Sequence, residues 1–106
     1  MTDLQITDLD GSTSLTFSCG EQASDQAVLA TGHQPNGYFW EGIAAFLRPE
    51  LAERLEFDSE AGMFSAWGEP HDLDALAQVL RPLLQDPQAV AEVVPDAEAQ
   101  GFEFQD

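Results

Sequence analysis

Apolar and polar positions alternate with a period of two near the start of the chain. Leu4 to Thr7 switch sides residue by residue, and Leu15, Phe17 and Cys19 alternate with Thr16 and Ser18. Asp10-Gly11 separates the two runs and supplies a turn, so the segment predicts an antiparallel hairpin with one buried face. Its register stays open, because the loop can also take in Ser12 and Thr13. Ala27 to Ala30 is a short apolar run, read as a third strand in preference to a brief helix beginning near Ser24.

The period then changes. After a turn at Gly32-His33-Gln34-Pro35-Asn36-Gly37, Trp40, Ile43, Ala44 and Leu47 recur at helical spacing, and Phe39 and Phe46 widen the stripe enough to predict packing on two sides. Pro49 is tolerated in a first turn, so Pro49 to Arg54 reads as a short second helix. Leu55-Glu56-Phe57 and Met63 to Trp67 flank Asp58-Ser59-Glu60-Ala61-Gly62, predicting a second hairpin with Gly62 available for a positive φ. Met63 and Trp67 fall on one face of that strand and Phe64 and Ala66 on the other. It is therefore a central strand covered on both sides, or one face is a binding surface. Asp72 is placed to cap a helix lined by Leu73, Leu76, Ala77, Leu80 and Leu84, which Pro82 should kink or end. Asp86-Pro87 signals a restart, Val90, Val93 and Val94 give the last helix its apolar side, and Pro95 should stop it.

Together these elements predict an α+β fold: a small antiparallel sheet of two hairpins, about four to five strands, packed with three to four helices. The 106 residues make one domain, 1–106, whose acidic segment 96–106 adds an edge strand or stays mobile, with only Phe102 and Phe104 to anchor it.

Charge changes the picture more than composition does. The chain carries 20 Asp and Glu against three arginines and no lysine, for a net charge of -17. Nucleic-acid binding and adhesion to anionic membranes both need clustered cations, so neither is expected. With 43% hydrophobic residues the acidity sits on a folded protein rather than a disordered one. No run approaches the roughly 18 apolar residues of a membrane span. The opening MTDLQITDLDGSTS lacks the basic and apolar regions of a signal peptide, and the lone Cys19 suits a reducing compartment, so a cytoplasmic location is expected.

Candidate chemistry is sparse. A strand ending in Asp8-Leu9-Asp10-Gly11-Ser12 resembles the nucleophile loop of haloacid-dehalogenase-type phosphatases, in which the first Asp attacks phosphorus and the second acts as acid and base around magnesium. That chemistry also needs a cation on the phosphoryl group, supplied in the family by a lysine that this chain lacks. The chain is also too short for the doubly wound sheet that carries the loop, so a polar hairpin turn is the preferred reading. The same acids miss calcium-loop spacing. His33 and His71 have no metal-ligand spacing and read as turn and helix-start residues bonding local backbone, while Cys19 reads as a small apolar group. No metal site and no cofactor is expected. Among Tyr38, Phe39 and Trp40, three directions roughly 100° apart leave at most two rings for one core layer. One ring should therefore lie near the surface.

The string Gly32-His33-Gln34-Pro35-Asn36-Gly37-Tyr38-Phe39-Trp40-Glu41-Gly42-Ile43 resembles the signature of the immunity protein 51 family of bacterial polymorphic toxin systems. The likeness continues through Phe57-Asp58-Ser59-Glu60-Ala61-Gly62-Met63-Phe64 and the leucine-rich helix, covering Ala27 to Val94. It implies a small cytoplasmic α+β protein, made beside a secreted or contact-delivered toxin, that binds and blocks that toxin. Gly32, His33, Pro35, Asn36, Gly37, Tyr38, Trp40 and Gly42 are then signature positions serving the fold.

Many such toxins have basic substrate clefts, which an anionic protein is suited to occlude. The expected mechanism is stoichiometric binding without turnover. Asp58, Glu60, Glu69, Asp72 and Asp74 would mimic phosphates, with Tyr38 and Trp67 supplying the buried centre of the contact and Trp40 assigned to the core. Two other classes stay open: an acidic adaptor whose partner is not a toxin, and a small metal-dependent phosphoesterase using Asp8 and Asp10.

Overall fold

The computed structural model describes residues 4–106. Strands β1 (Gln5–Leu9) and β2 (Ser12–Ser18) come first, then helices α1 (Asp25–Ala30), α2 (Gly37–Leu47) and α3 (Pro49–Ala52). Strands β3 (Glu56–Phe57) and β4 (Met63–Gly68) follow, and α4 (Pro70–Gln85) and α5 (Pro87–Ala99) complete the order. The strands form one antiparallel sheet ordered β1-β2-β4-β3, so the fold is α+β with four strands, within the expected range. Among the described residues there are five helices, because Ala27–Ala30 lies in α1 and not in a strand.

The first hairpin turns through Asp10 and Gly11, both with positive φ (52° and 81°), as a two-residue turn matched to strand twist requires. Leu9 therefore pairs with Ser12, which settles the register and places Ser12 and Thr13 inside β2. On its other edge β2 pairs with β4, Leu15 opposite Ala66 and Phe17 opposite Phe64, and all four side chains are buried. Phe17 stacks on Phe64 with ring centroids 4.8 Å apart, and Trp40 from α2 meets Phe17 edge-on at 6.0 Å. Leu73, Leu76, Leu80 and Leu84 of α4 close the same layer. Each such side chain contributes about 1.5–3 kcal/mol by leaving water, which makes this face the main source of stability.

The expected buried face is present in β2 but not in β1. All five β1 residues are exposed, including Ile6, although Ile6 pairs with the buried Leu15. The helices pack chiefly on the inner strands, α4 against β2 and β4 and α2 against β4, and β1 is an edge strand whose residues stay exposed. β4 is central, with helices on one face alone. The other face, where Met63, Ser65 and Trp67 point, is left open, and Met63 is 44% exposed.

Several local expectations give way to tertiary packing. Residues Asp25–Ala30 turn helical because Asp25 Oδ2 accepts from the Gln22 N–H and the Ser24 N–H donates to the Leu84 carbonyl, which lays Val28 into the core. Pro82 and Pro95 do not end their helices. Both prolines are exposed, and Gln78 and Ala91, whose carbonyls lose the usual N–H donor four residues on, are exposed residues as well. The burial of Leu83, Leu84 and Ala97 carries each helix onward. Gly62 does not use a positive φ, and the second turn closes instead by an isolated bridge between Glu60 and Met63.

Asp72 is not the cap of α4. Glu69 holds that position, Pro70 opens the helix, and Asp72 lies in the first turn. Asp86 does cap α5, its Oδ1 accepting from the Gln88 N–H at 3.0 Å. The acidic segment divides: 96–99 finish α5, Gly101 turns the chain at φ 86°, and the remainder lies along α2. There Phe102 meets Phe46 edge-on at 5.5 Å and Phe104 stacks on Phe39 at 5.1 Å.

Candidate interaction surface

The signature string builds the entry to α2. Asn36 caps the helix, its Oδ1 accepting from the Phe39 N–H at 2.9 Å. Gly37 sits where the helix start touches the second hairpin. A Cβ there would collide with the Glu60 carbonyl oxygen and come within 2.6 Å of the Met63 carbonyl oxygen and 2.7 Å of Ser59 Cβ. Gly32 adopts φ 93°, and Gly42 leaves room for the Phe104 ring, which a Cβ would approach to 2.7 Å. Phe39 and Trp40 are fully buried, whereas Tyr38 is 40% exposed, matching the expectation that one of the three rings lies outside the core.

His33 does more than bond local backbone. Its Nδ1 is 2.8 Å from Asp106 Oδ1 and its Nε2 3.0 Å from Glu98 Oε2, and Asp106 Oδ2 also accepts from the Gln34 N–H. Burial pulls the imidazole pKa down, but hydrogen bonds to Glu98 and Asp106 outweigh it and hold the value above the ordinary one. Burial likewise raises the Asp106 carboxyl, yet the Gln34 N–H and His33 bring it below its ordinary value. These contacts fasten the chain end to the signature loop, a structural use of His33. His71 is exposed beside Asp72, at 3.4 Å.

The charged residues expected at the partner contact are dispersed. Asp72 is only 3% exposed and is gripped by Arg54 through Nε at 3.3 Å and Nη2 at 3.1 Å, which takes it off the surface. That hydrogen-bonded pairing lowers the Asp72 pKa. Glu60 is exposed in the turn beside Gly37, and Asp74 on the outer side of α4. Tyr38 lines an apolar recess of about 230 Å³ with Gly42, Ala45, Phe57 and Phe102.

Trp67, Glu69 and Asp58 do converge, together with two residues that were not expected there. Strand pairing sets Glu56 directly opposite Trp67. A recess of about 660 Å³ is lined by Trp67, Glu56, Glu69 and Asp8, with Gly11, Ser12, Thr13, Gly68 and Pro70 completing its wall. A second, of about 470 Å³, is formed by Trp67, Glu56, Phe57 and Asp58. Asp8 is steadied by a short hydrogen bond from the Thr13 hydroxyl across the hairpin. Nothing in the spacing of Asp8, Glu56 and Trp67 announces this meeting, which depends on the β1-β2-β4-β3 strand order.

The remaining chemistry is quiet. Asp10 is exposed at the tip of a two-residue hairpin turn, not in the strand-to-helix loop that the phosphatase-like reading requires. Cys19 packs beside the core. Burial, with Asp25 nearby, pushes its thiol up to about 12, which disfavours the nucleophilic thiolate. Among the described residues no three His, Cys, Asp or Glu side chains gather as a metal-holding group. No described helix is long and apolar enough to cross a membrane.

A family model described as Immunity protein 51 matches residues 4–99, most of the chain and more than the signature segment alone. No curated protein and no solved structure matches it.

Proposed function

The chain belongs to the immunity protein 51 family, and from that premise we propose that it binds a cognate bacterial toxin one-to-one and neutralises it by occlusion, without turnover. The observation that carries this reading is the family match across residues 4–99. The charge supports its finer part. A body of net charge -17 attracts a basic cleft, raises the encounter rate and disfavours acidic competitors. The producing cell holds the protein in its cytoplasm, where the toxin of its own polymorphic system, or of a sibling, must be stopped. The basic cleft is that of an enzyme acting on an anionic substrate, which the acidic surface replaces.

The test is co-expression with the toxin domain encoded beside the gene. Growth should be rescued, the purified proteins should form an equimolar complex, and the affinity should fall as salt is raised. Failure to protect and failure to bind that toxin would overturn the proposal. So would hydrolysis of a phosphoester by the purified chain with magnesium that disappears in Asp8→Asn.

A further inference from the structure

The sheet has one face that no helix of the fold covers. Cross-strand pairs on that face are Ser14 with Trp67, Thr16 with Ser65 and Ser18 with Met63. Small hydroxyl side chains therefore floor it, and Trp67 and Met63 stand above them as the large groups. Trp67 is half-buried and lines both recesses described above. Their other charged lining groups are all carboxylates: Glu56, paired with Trp67 on this face, Asp58 and Glu69, and at the strand ends Asp8, which its pairing with Thr13 sets on the opposite face. No lysine exists in the chain, and Arg48 and Arg54 are engaged elsewhere, by Glu50 and Asp72.

Resting on the immunity reading, we infer that this open face around Trp67 is where the toxin docks, with arginine or lysine side chains of the toxin entering the recesses beside the indole. Complementary charge and ring chemistry select that occupant. A guanidinium or ammonium group laid on the indole is attracted by the ring, and neighbouring carboxylates accept its N–H groups. Trp and Arg are the side chains most often found at the energetic centre of protein contacts. A second copy of this chain does not suit the face, since it would bring carboxylates against carboxylates between bodies of charge -17 each. A purely apolar partner would strand the acids at the rim without counter-charge.

The experiment titrates the neighbouring toxin domain into the wild-type chain and three variants, each first checked for a native thermal transition. Trp67→Ala and Glu56→Lys lie on the face; Glu92→Lys, on the exposed side of α5, makes the same charge change far from it. The expected result is an affinity loss of about tenfold or more for each face variant, with less than about threefold for Glu92→Lys. Fluorotryptophan-labelled wild-type chain gives a readout that needs no substitution. The Trp67 resonance should shift between light and heavy water in the free protein and lose that shift in the complex, while the fully buried Trp40 shows none in either.

Equal affinity in both face variants, equal loss in Glu92→Lys, or a Trp67 that stays open to solvent in the complex would overturn the inference and leave the immunity reading standing. Absence of any binding by the wild-type chain would overturn both.

Discussion

Gly37→Ala should destabilise the protein, although glycine-to-alanine changes in helices usually do the opposite. Position 37 is the first residue of α2, and alanine there would ordinarily gain up to about 1 kcal/mol in helix propensity and lost unfolded-state freedom. The structure opposes that gain. The new methyl would overlap the Glu60 carbonyl oxygen and stand 2.6 Å from the Met63 carbonyl oxygen and 2.7 Å from Ser59 Cβ, all closer than Cβ atoms come in folded proteins.

Two of the three obstacles are backbone atoms of the second hairpin turn, which is fixed by the Glu60–Met63 bridge and by Ser59 Oγ accepting from the Ser65 N–H at 3.0 Å. Neither can swing aside as a flexible side chain would. Forcing a methyl between backbone atoms that cannot move costs roughly 2–3 kcal/mol, the upper part of the overpacking range, and leaves a net loss of about 1–2 kcal/mol after the propensity gain. For a chain of this length the melting temperature should then fall by roughly 5–15 °C. Gly62→Ala is the matched control in the same turn, having no positive φ and nothing within 4 Å of its added Cβ, and it should leave stability unchanged or slightly raised. The assay is thermal and urea unfolding followed by circular dichroism. A Gly37→Ala protein as stable as wild type would refute the close approach of α2 to the hairpin turn.

Two further outcomes follow from the titratable groups. Because its carboxylate partners raise the His33 pKa, the stabilisation it brings is complete below the ordinary histidine range and drains away as pH rises through the elevated folded value. Asp106, whose pKa is lowered, works in the opposite sense: its contribution is present above the ordinary carboxylate range and is lost on acidification. Stability of the wild type should thus decline as pH rises past the ordinary histidine value of about 6.5 while that of His33→Gln stays flatter, and the His33 ring protons should titrate above that value in an NMR series. Cys19, with its thiol pushed up to about 12, should react with iodoacetamide at pH 8 more than about tenfold slower in the folded chain than in urea. Equal rates would show that the thiol is not shielded.

What was legible in the sequence is what a few neighbouring residues decide between themselves. Asp10-Gly11 dictates a two-residue turn because both positions need positive φ. Asp86-Pro87 caps and opens α5 through one side-chain bond, and the stripe from Phe39 to Ala44 must bury because helical spacing gathers it on one side. Charge argues against nucleic acid and anionic membranes as partners before any fold is considered.

Where neighbours alone do not decide, the packing does. Val28 is drawn into a helix by contacts to the chain beyond residue 80, and Pro82 and Pro95 are tolerated because their rings face water while the residues after them are buried. Asp72 reads as a surface acid until Arg54, 18 residues away in sequence, is folded over it. The placing of Glu56 beside Trp67, with Asp8 and Glu69 at the end of the same strands, is likewise set by strand order and register. Local sequence rules act over three or four positions, whereas this sheet joins strands from the start of the chain to strands from its middle. The composition of its open face is therefore a property of the fold and cannot be read from any single segment.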